Sequence, residues 1–361
     1  MTGRGARRAA VTLGAATASG VLVGASAAVA VPHAAKDGVT ALTVASGSAL
    51  VLSLVLLVAA VAATGRLVRG WRGVLAACGA TLLALLAVDV VVLPVAASTV
   101  PATAVGRRTP AAAGLAFTEV TTTTEDGVRL AGWYLPSTSR AAVVLLHGSG
   151  STRSAVLGQA IVLARSGFGV LALDARGHGR SEGRAMDFGW SGDADVAAGV
   201  AFLSTRPDVD PHRIALVGLS MGGEEAIGAA ATDPRVRAVV AEGVTGRQAA
   251  DLRWLSDAYG WRGAAQEGIE AAHTALASAL TRRRPPTSLR DAVRQAAPRP
   301  VLLIAAAEVA DEQHAAADLK RASPATVRVW VVPGSGHTEG LRTAPDQWQQ
   351  RVVGFLTTAT R

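Results

Sequence analysis

Cysteine, lysine and aromatic residues are scarce in this chain of 361 residues, and each scarcity excludes something. The single cysteine, Cys78, cannot close an internal disulfide or build a cysteine-based zinc site. Only Lys36 and Lys320 are lysines, so 33 of the 35 basic residues are arginine. These are scattered, and the one dense run, Arg282-Arg283-Arg284, leads into Pro285-Pro286 with no aromatic neighbours on which bases would stack. The formal charge of +8 is therefore no nucleic-acid signature, and no nucleic-acid partner is expected. The seven histidines show no metal-ligand spacing, and neither a G-x-G-x-x-G nor a P-loop is present, so no metal and no cofactor are expected. Aromatics make up 4% and charged residues 17%, yet half the chain is hydrophobic, mostly Ala, Val and Leu, which rules out a disordered polymer.

That apolarity is concentrated in three stretches, about 9–31, 39–63 and 74–98, whose only charged member is Asp89. Each is long enough, at about 1.5 Å per residue, to cross a hydrocarbon core of about 30 Å, and a multi-pass membrane region over 1–100 is expected. Arg4, Arg7 and Arg8 precede the first stretch, Lys36 and Asp37 offset each other in the first loop, and Arg66, Arg69 and Arg72 fill the second. Basic short loops stay cytoplasmic, so the pattern reads inside, outside, inside, and places everything after about Pro101 on the extracytoplasmic side of the cell membrane. A rival reading makes residues 1–30 a cleaved signal peptide ending at Ala28-Val29-Ala30, which changes the helix count without moving the later domain. Gly20 and Gly24 form a G-x-x-x-G that the Ala/Gly-rich composition explains by chance. Asp89 calls either for a buried partner or for a place near the outer interface.

Residues 101–114, with Pro101 and Pro110, read as a linker. Beyond Leu115, short β-branched runs alternate with helix-compatible stretches, the pattern of a mostly parallel α/β sheet covered on both faces. Strands are expected at 117–123, 128–134, 142–146, 169–173, 213–217, 236–241, 301–305 and 327–332, eight in all. The first two are joined by Glu125-Asp126-Gly127, so the sheet should begin antiparallel. The interval 245–299, with Trp254, Tyr259, Trp261 and a helix-compatible 264–280, is expected to be a helical cap insertion.

Three segments carry chemistry. The strand from Arg213 runs into Gly218-Leu219-Ser220-Met221-Gly222 and then into a helix, and small residues two before and two after a serine permit a strained turn that projects its hydroxyl. Ser220 is the candidate nucleophile. A serine needs a base, and His337, in Pro333-Gly334-Ser335-Gly336-His337, follows the last expected strand in a loop able to fold back. Upstream, His147-Gly148-Ser149-Gly150 forms a glycine-rich turn after the third strand; the N–H groups of Ser149 and Met221 are the candidate oxyanion donors, with His147 orienting the loop. Glu224, Glu225, Asp193 and Asp195 read as helix-start acids.

With these motifs and the loop Asp174-Ala175-Arg176-Gly177-His178-Gly179, residues 115–361 resemble the α/β-hydrolase serine hydrolases, the group with prolyl-oligopeptidase-like, dienelactone-hydrolase-like and lysophospholipase-like members. The resemblance implies the order serine, acid, histidine, and a structural role for His178. The chain departs from the family at the acid: the usual G-x-x-D after the seventh strand is missing, and Val309 falls where the aspartate would. Asp311 is the first choice, with Glu308, Glu312 and Glu242 as alternatives. The expected activity is membrane-anchored hydrolysis of an ester, thioester or amide through an acyl-enzyme, on a small-molecule or lipid-like acyl substrate. Esterase or lipase-like substrates are favoured because no propeller domain precedes the sheet. A catalytically silent receptor or scaffold that has lost its acid, and an acyltransferase, are the competing readings.

Overall fold

The computed structural model describes residues 3–68, 70–183 and 187–361; Arg69, counted in the charge pattern, lies outside them. The described chain separates into two compact units, one holding residues up to Pro101 together with Ala272–Arg282, the other Ala102–Ala271 with Arg283–Arg361.

The first unit contains α1 (Gly3–Asp37), α2 (Ala41–Leu67) and α3 (Trp71–Thr99), all long and apolar enough to cross a membrane. They outrun the expected stretches because an apolar count stops at a charge while the helix continues through it. A capping box starts α2: Thr40 Oγ1 accepts from Thr43 N at 3.2 Å, and Thr43 Oγ1 accepts from Thr40 N at 2.8 Å. Small residues make the bundle core, with Ala16, Ala60 and Ala80 in contact. Gly20 and Gly24 are not accidents of composition: a Cβ on Gly20 would lie 2.5 Å from the Ala84 carbonyl oxygen, and one on Gly24 2.9 Å from that of Val88. The G-x-x-x-G is the close-approach face of α1 on α3. Asp89 is exposed on α3, and its backbone carbonyl lies 3.1 Å from His273 Nε2.

The second unit is built on β1 (Thr118–Thr123), β2 (Arg129–Leu135), β3 (Ala142–Leu146), α4 (Leu157–Arg165), β4 (Gly169–Leu173), α5 (Gly192–Ser204), β5 (Ile214–Leu219), α6 (Met221–Thr232) and β6 (Val236–Glu242). An excursion follows with α7 (Leu255–Tyr259), α8 (Trp261–Thr281), of which the part from Ala272 on groups with the first unit, and α9 (Leu289–Ala296). Then come β7 (Val301–Ala306), α10 (Ala310–Ala322), β8 (Val327–Val332), α11 (Gly340–Thr343) and α12 (Pro345–Ala359). The sheet order is β1-β2-β4-β3-β5-β6-β7-β8; β1–β2 and β2–β4 pair antiparallel and the rest parallel.

Alternation along β3 shows why its run is wholly apolar. Val144 and Leu146 enter one core with Leu171, Leu173, Leu216 and Ile227, while Val143 and Leu145 enter the other with Trp133, Val217, Ile304 and Trp348. Because β4 and β5 lie on opposite sides of β3, the chain leaving β3 and the chain leaving β5 emerge side by side at the C-terminal edge, where such sheets bind ligands.

One buried cation ties the antiparallel end to this edge. Arg153 lies between β3 and α4 with its side chain fully buried; Nη1 donates to Asp174 Oδ2 at 2.6 Å, Nη2 to Glu119 Oε2 at 2.8 Å, and the guanidinium sits 5.0 Å from the Trp133 ring centroid. Arg153→Leu would strand the Asp174 carboxylate in the interior. The expected loss is about 3–5 kcal/mol, read as a fall in thermal unfolding temperature that Asp174→Asn in the same chain partly restores. A fall no larger than that of the exposed control Arg165→Leu would show that the pair does not hold the fold.

Candidate active site

The turn after β5 is strained by its surroundings. Ser220 sits at φ 54°, ψ −123°, a conformation that costs a non-glycine residue free energy of order 1–3 kcal/mol. Close packing fixes it: a Cβ on Gly218 would lie 2.1 Å from the Gly222 carbonyl oxygen, and one on Gly222 2.6 Å from that of His147. Only glycine at both positions lets β5 turn into α6 while pressed against the end of β3. Ser220 N donates to the Glu242 carbonyl at 2.7 Å, and Ser220 O accepts from Gly223 N and Glu224 N at 2.8 and 3.1 Å, so α6 is engaged from its first turn.

His337 meets this serine. Its Nε2 lies 3.0 Å from Ser220 Oγ, and its Nδ1 lies 2.6 Å from Glu312 Oε1. An ionised carboxylate only accepts, so Nδ1 carries the proton and the neutral ring offers Nε2 as acceptor to the hydroxyl. The hydrogen bond with Glu312 raises the imidazole pKa above its ordinary value against the opposing effect of partial burial, and the charges of Glu312, Glu224 and Glu242 add to the rise.

The carboxylate beside the histidine is Glu312, not Asp311. Both open α10, but successive helical residues point about 100° apart. Asp311 faces outward and accepts from Tyr259 Oη at 2.6 Å. Glu312 is buried and turns back over the first turn, with Oε2 accepting from Ala306 N at 2.8 Å and Oε1 facing the imidazole. Glu308 is exposed, and its backbone N–H donates to the Ser335 carbonyl at 3.1 Å. Glu242 is buried but faces other donors, Gly340 N at 2.7 Å and Trp348 Nε1 at 3.0 Å. With its carbonyl on Ser220 N, this one residue links the Ser220 turn to the loop after His337, a role that sequence reasoning missed because the indole of Trp348 is 106 positions away.

Ser149 and Met221 flank the serine. Met221 opens α6, whose first N–H groups have no intrahelical partner. Ser149 follows Gly148, where an added Cβ would lie 3.2 Å from Ser220 Cβ and 3.8 Å from Oγ. Two histidines brace this turn. His147 Nε2 accepts from Ala175 N at 3.0 Å and Nδ1 faces the Gly148 carbonyl at 2.8 Å, while His178 Nε2 accepts from Gly150 N at 3.2 Å and Nδ1 faces the Arg176 carbonyl at 3.0 Å. Burial, with the neighbouring His178, lowers the His147 pKa to about 3, so it is neutral and holds backbone. Among the described residues no cluster of His, Cys, Asp and Glu could hold a metal ion.

Glu312→Gln removes the charge that raises the imidazole pKa, so the His337 Cε1–H resonance should titrate at lower pH than in the parent, while Asp311→Asn leaves it unchanged. A shift in Asp311→Asn and none in Glu312→Gln would reverse the assignment.

Residues 137–285 match the family model described as serine aminopeptidase, S33. An uncharacterised protein of Mycobacterium tuberculosis (strain H37Rv) is 40% identical over 119 residues, 32% of this chain and 42% of that protein. A thiohydrolase of Aspergillus aculeatus is 37% identical over 128 residues, 34% of this chain and 40% of that enzyme. The chain thus aligns with less than half the length of these relatives. A solved esterase of Pyrococcus furiosus superposes with a TM-score of 0.57 at 26% identity, covering 73% of this chain and 99% of the esterase. With its eight-stranded sheet matched along nearly the whole of a solved esterase, the chain has the α/β-hydrolase fold.

Proposed function

We propose that the protein is a membrane-anchored serine hydrolase that cleaves acyl esters, thioesters included, through Ser220, His337 and Glu312. The observation that carries this is the unbroken chain of hydrogen bonds from Ser220 Oγ through the imidazole to a buried carboxylate. Ser220 Oγ attacks the substrate carbonyl as His337 Nε2 takes its proton, and Glu312 holds the tautomer and stabilises the imidazolium. The developing oxyanion turns toward the N–H groups of Met221 and Ser149. The tetrahedral species collapses as His337 hands the proton to the departing alcohol or thiol. Water, deprotonated by the same nitrogen, then frees the acid and restores Ser220. The base works only when neutral, so turnover rises with pH through a pKa lifted by Glu312.

Esters and thioesters are favoured by the esterase and thiohydrolase among the similar proteins. The aminopeptidase description of the matching family model favours amides as the second reading. A fluorophosphonate probe should label the parent and not Ser220→Ala, and a panel of acyl esters, thioesters and aminoacyl amides should show ester or thioester cleavage the faster. Absence of labelling would return the domain to a silent binding module, and faster amide cleavage would make it a peptidase.

The three apolar helices supply the anchor, and the arginines at 4, 7, 8, 66, 69 and 72 orient it with the hydrolase outside the cytoplasm. Protease added to intact cells should therefore cut after Pro101; protection until the membrane is permeabilised would invert the topology.

A further inference from the structure

We propose that the membrane unit carries a binding site for an anionic phospholipid, formed by the α2/α3 groove with Arg66 at its mouth. The site rests on the membrane-spanning reading of α1–α3 and is independent of the hydrolase chemistry. The groove has a volume of about 760 Å³ and is bounded by Arg66 at one end and by Val74, Cys78, Thr81, Leu82 and Leu85 along α3. These α3 residues recur at three- and four-residue spacing, so they form one stripe, and Val74, Leu82 and Leu85 are exposed. From Val74 to Leu85 the stripe rises about 16 Å at ~1.5 Å per residue, about half of a ~30 Å hydrocarbon core. That is the depth of a single leaflet.

The polar end supplies the charge. Arg66 also borders a second cleft, of about 530 Å³, whose walls include Arg7, Arg8, Val11 and Thr12. Residues 1–101 contain only two acids, Asp37 and Asp89. Asp37 closes α1 at the end remote from Arg7 and Arg8 and lies 2.8 Å from His33, and Asp89 is deep in α3. Among the described residues, no ion pair neutralises Arg7, Arg8 or Arg66. Trp71, exposed beside Arg72 with that guanidinium 5.7 Å from its ring centroid, marks the same level as a membrane–water boundary, where indole rings settle. Guanidinium groups bind phosphate oxygens in a fork, and a lipid adds what a free phosphate lacks, an acyl chain for the apolar trough.

The test uses the full chain in nanodiscs of phosphatidylcholine alone or with phosphatidylglycerol, with lipids retained after transfer to detergent counted by native mass spectrometry. The parent should retain phosphatidylglycerol in preference to phosphatidylcholine. Arg66→Gln should weaken that preference about fivefold, and Arg7→Gln with Arg8→Gln by a similar factor per arginine. Thr81→Trp, which fills the trough and leaves the charges in place, should also reduce retention, while Arg108→Gln in the linker should not. Equal retention of the two lipids, an equal loss in Arg108→Gln, or displacement of phosphatidylglycerol by millimolar inorganic phosphate would overturn the site. Release of the chain from membranes by alkaline carbonate would overturn it at its premise, whereas loss of esterase activity alone would leave it standing.

Discussion

The contact between β5 and α6 across Gly218 and Gly222 is the constraint on which the site depends. It leaves no room for a side chain, so the backbone between must swing through a region that L-residues avoid, and the residue at its apex stands clear of the sheet. Everything else in the site is placed relative to that apex. The turn after β3 passes beneath it because β3 and β5 are neighbours, and the loop after β8 reaches it by folding back across the ends of β7 and β6. Strain of this kind persists only where surrounding structure enforces it, and here two backbone carbonyls do so.

Buried carboxylates are the second theme. Glu312 accepts from the Ala306 amide as well as facing His337, Glu242 accepts from Gly340 and Trp348, and Glu224 accepts from the Thr245 and Gly246 amides. They fix the backbone at the end of β7, at the start of α11 and in the loop after β6. Desolvation raises the pKa of Glu224 and Glu242, and the N–H groups around them offset part of that rise. Glu225 differs: one oxygen is buried without a partner, and desolvation with the nearby Asp195 and Asp193 drives its pKa well up.

Much of this was legible in the sequence because the relevant signals are local. Apolar runs mark β3, β4, β5 and β7, since a strand covered on both faces has no polar side, and β-branched threonines mark the exposed β1. A glycine two before and two after Ser220 announces the turn that those glycines make. Which carboxylate faces His337 was not legible, because Asp311 and Glu312 differ by a helical rotation that only the first turn of α10 sets, and because the missing G-x-x-D removed the landmark. Gly20 and Gly24 misled in the other direction: in a segment rich in small residues, composition cannot say which two meet a neighbouring helix. The grouping of 272–282 with the first unit was equally invisible, since it depends on contacts far apart along the chain.

The near-absence of lysine separates the two halves of the molecule by the solution variable each obeys. Guanidinium keeps its proton at any pH a cell reaches, so the arginine-bearing face of the helical unit holds a fixed charge whose reach is set by ionic strength, falling within about 8–10 Å at physiological salt. The imidazole of His337, its pKa raised by the hydrogen bond with Glu312, lies beside a buried carboxylate that screening hardly touches. Salt therefore acts on the charge of the helical unit, and acidity on the imidazole of the other.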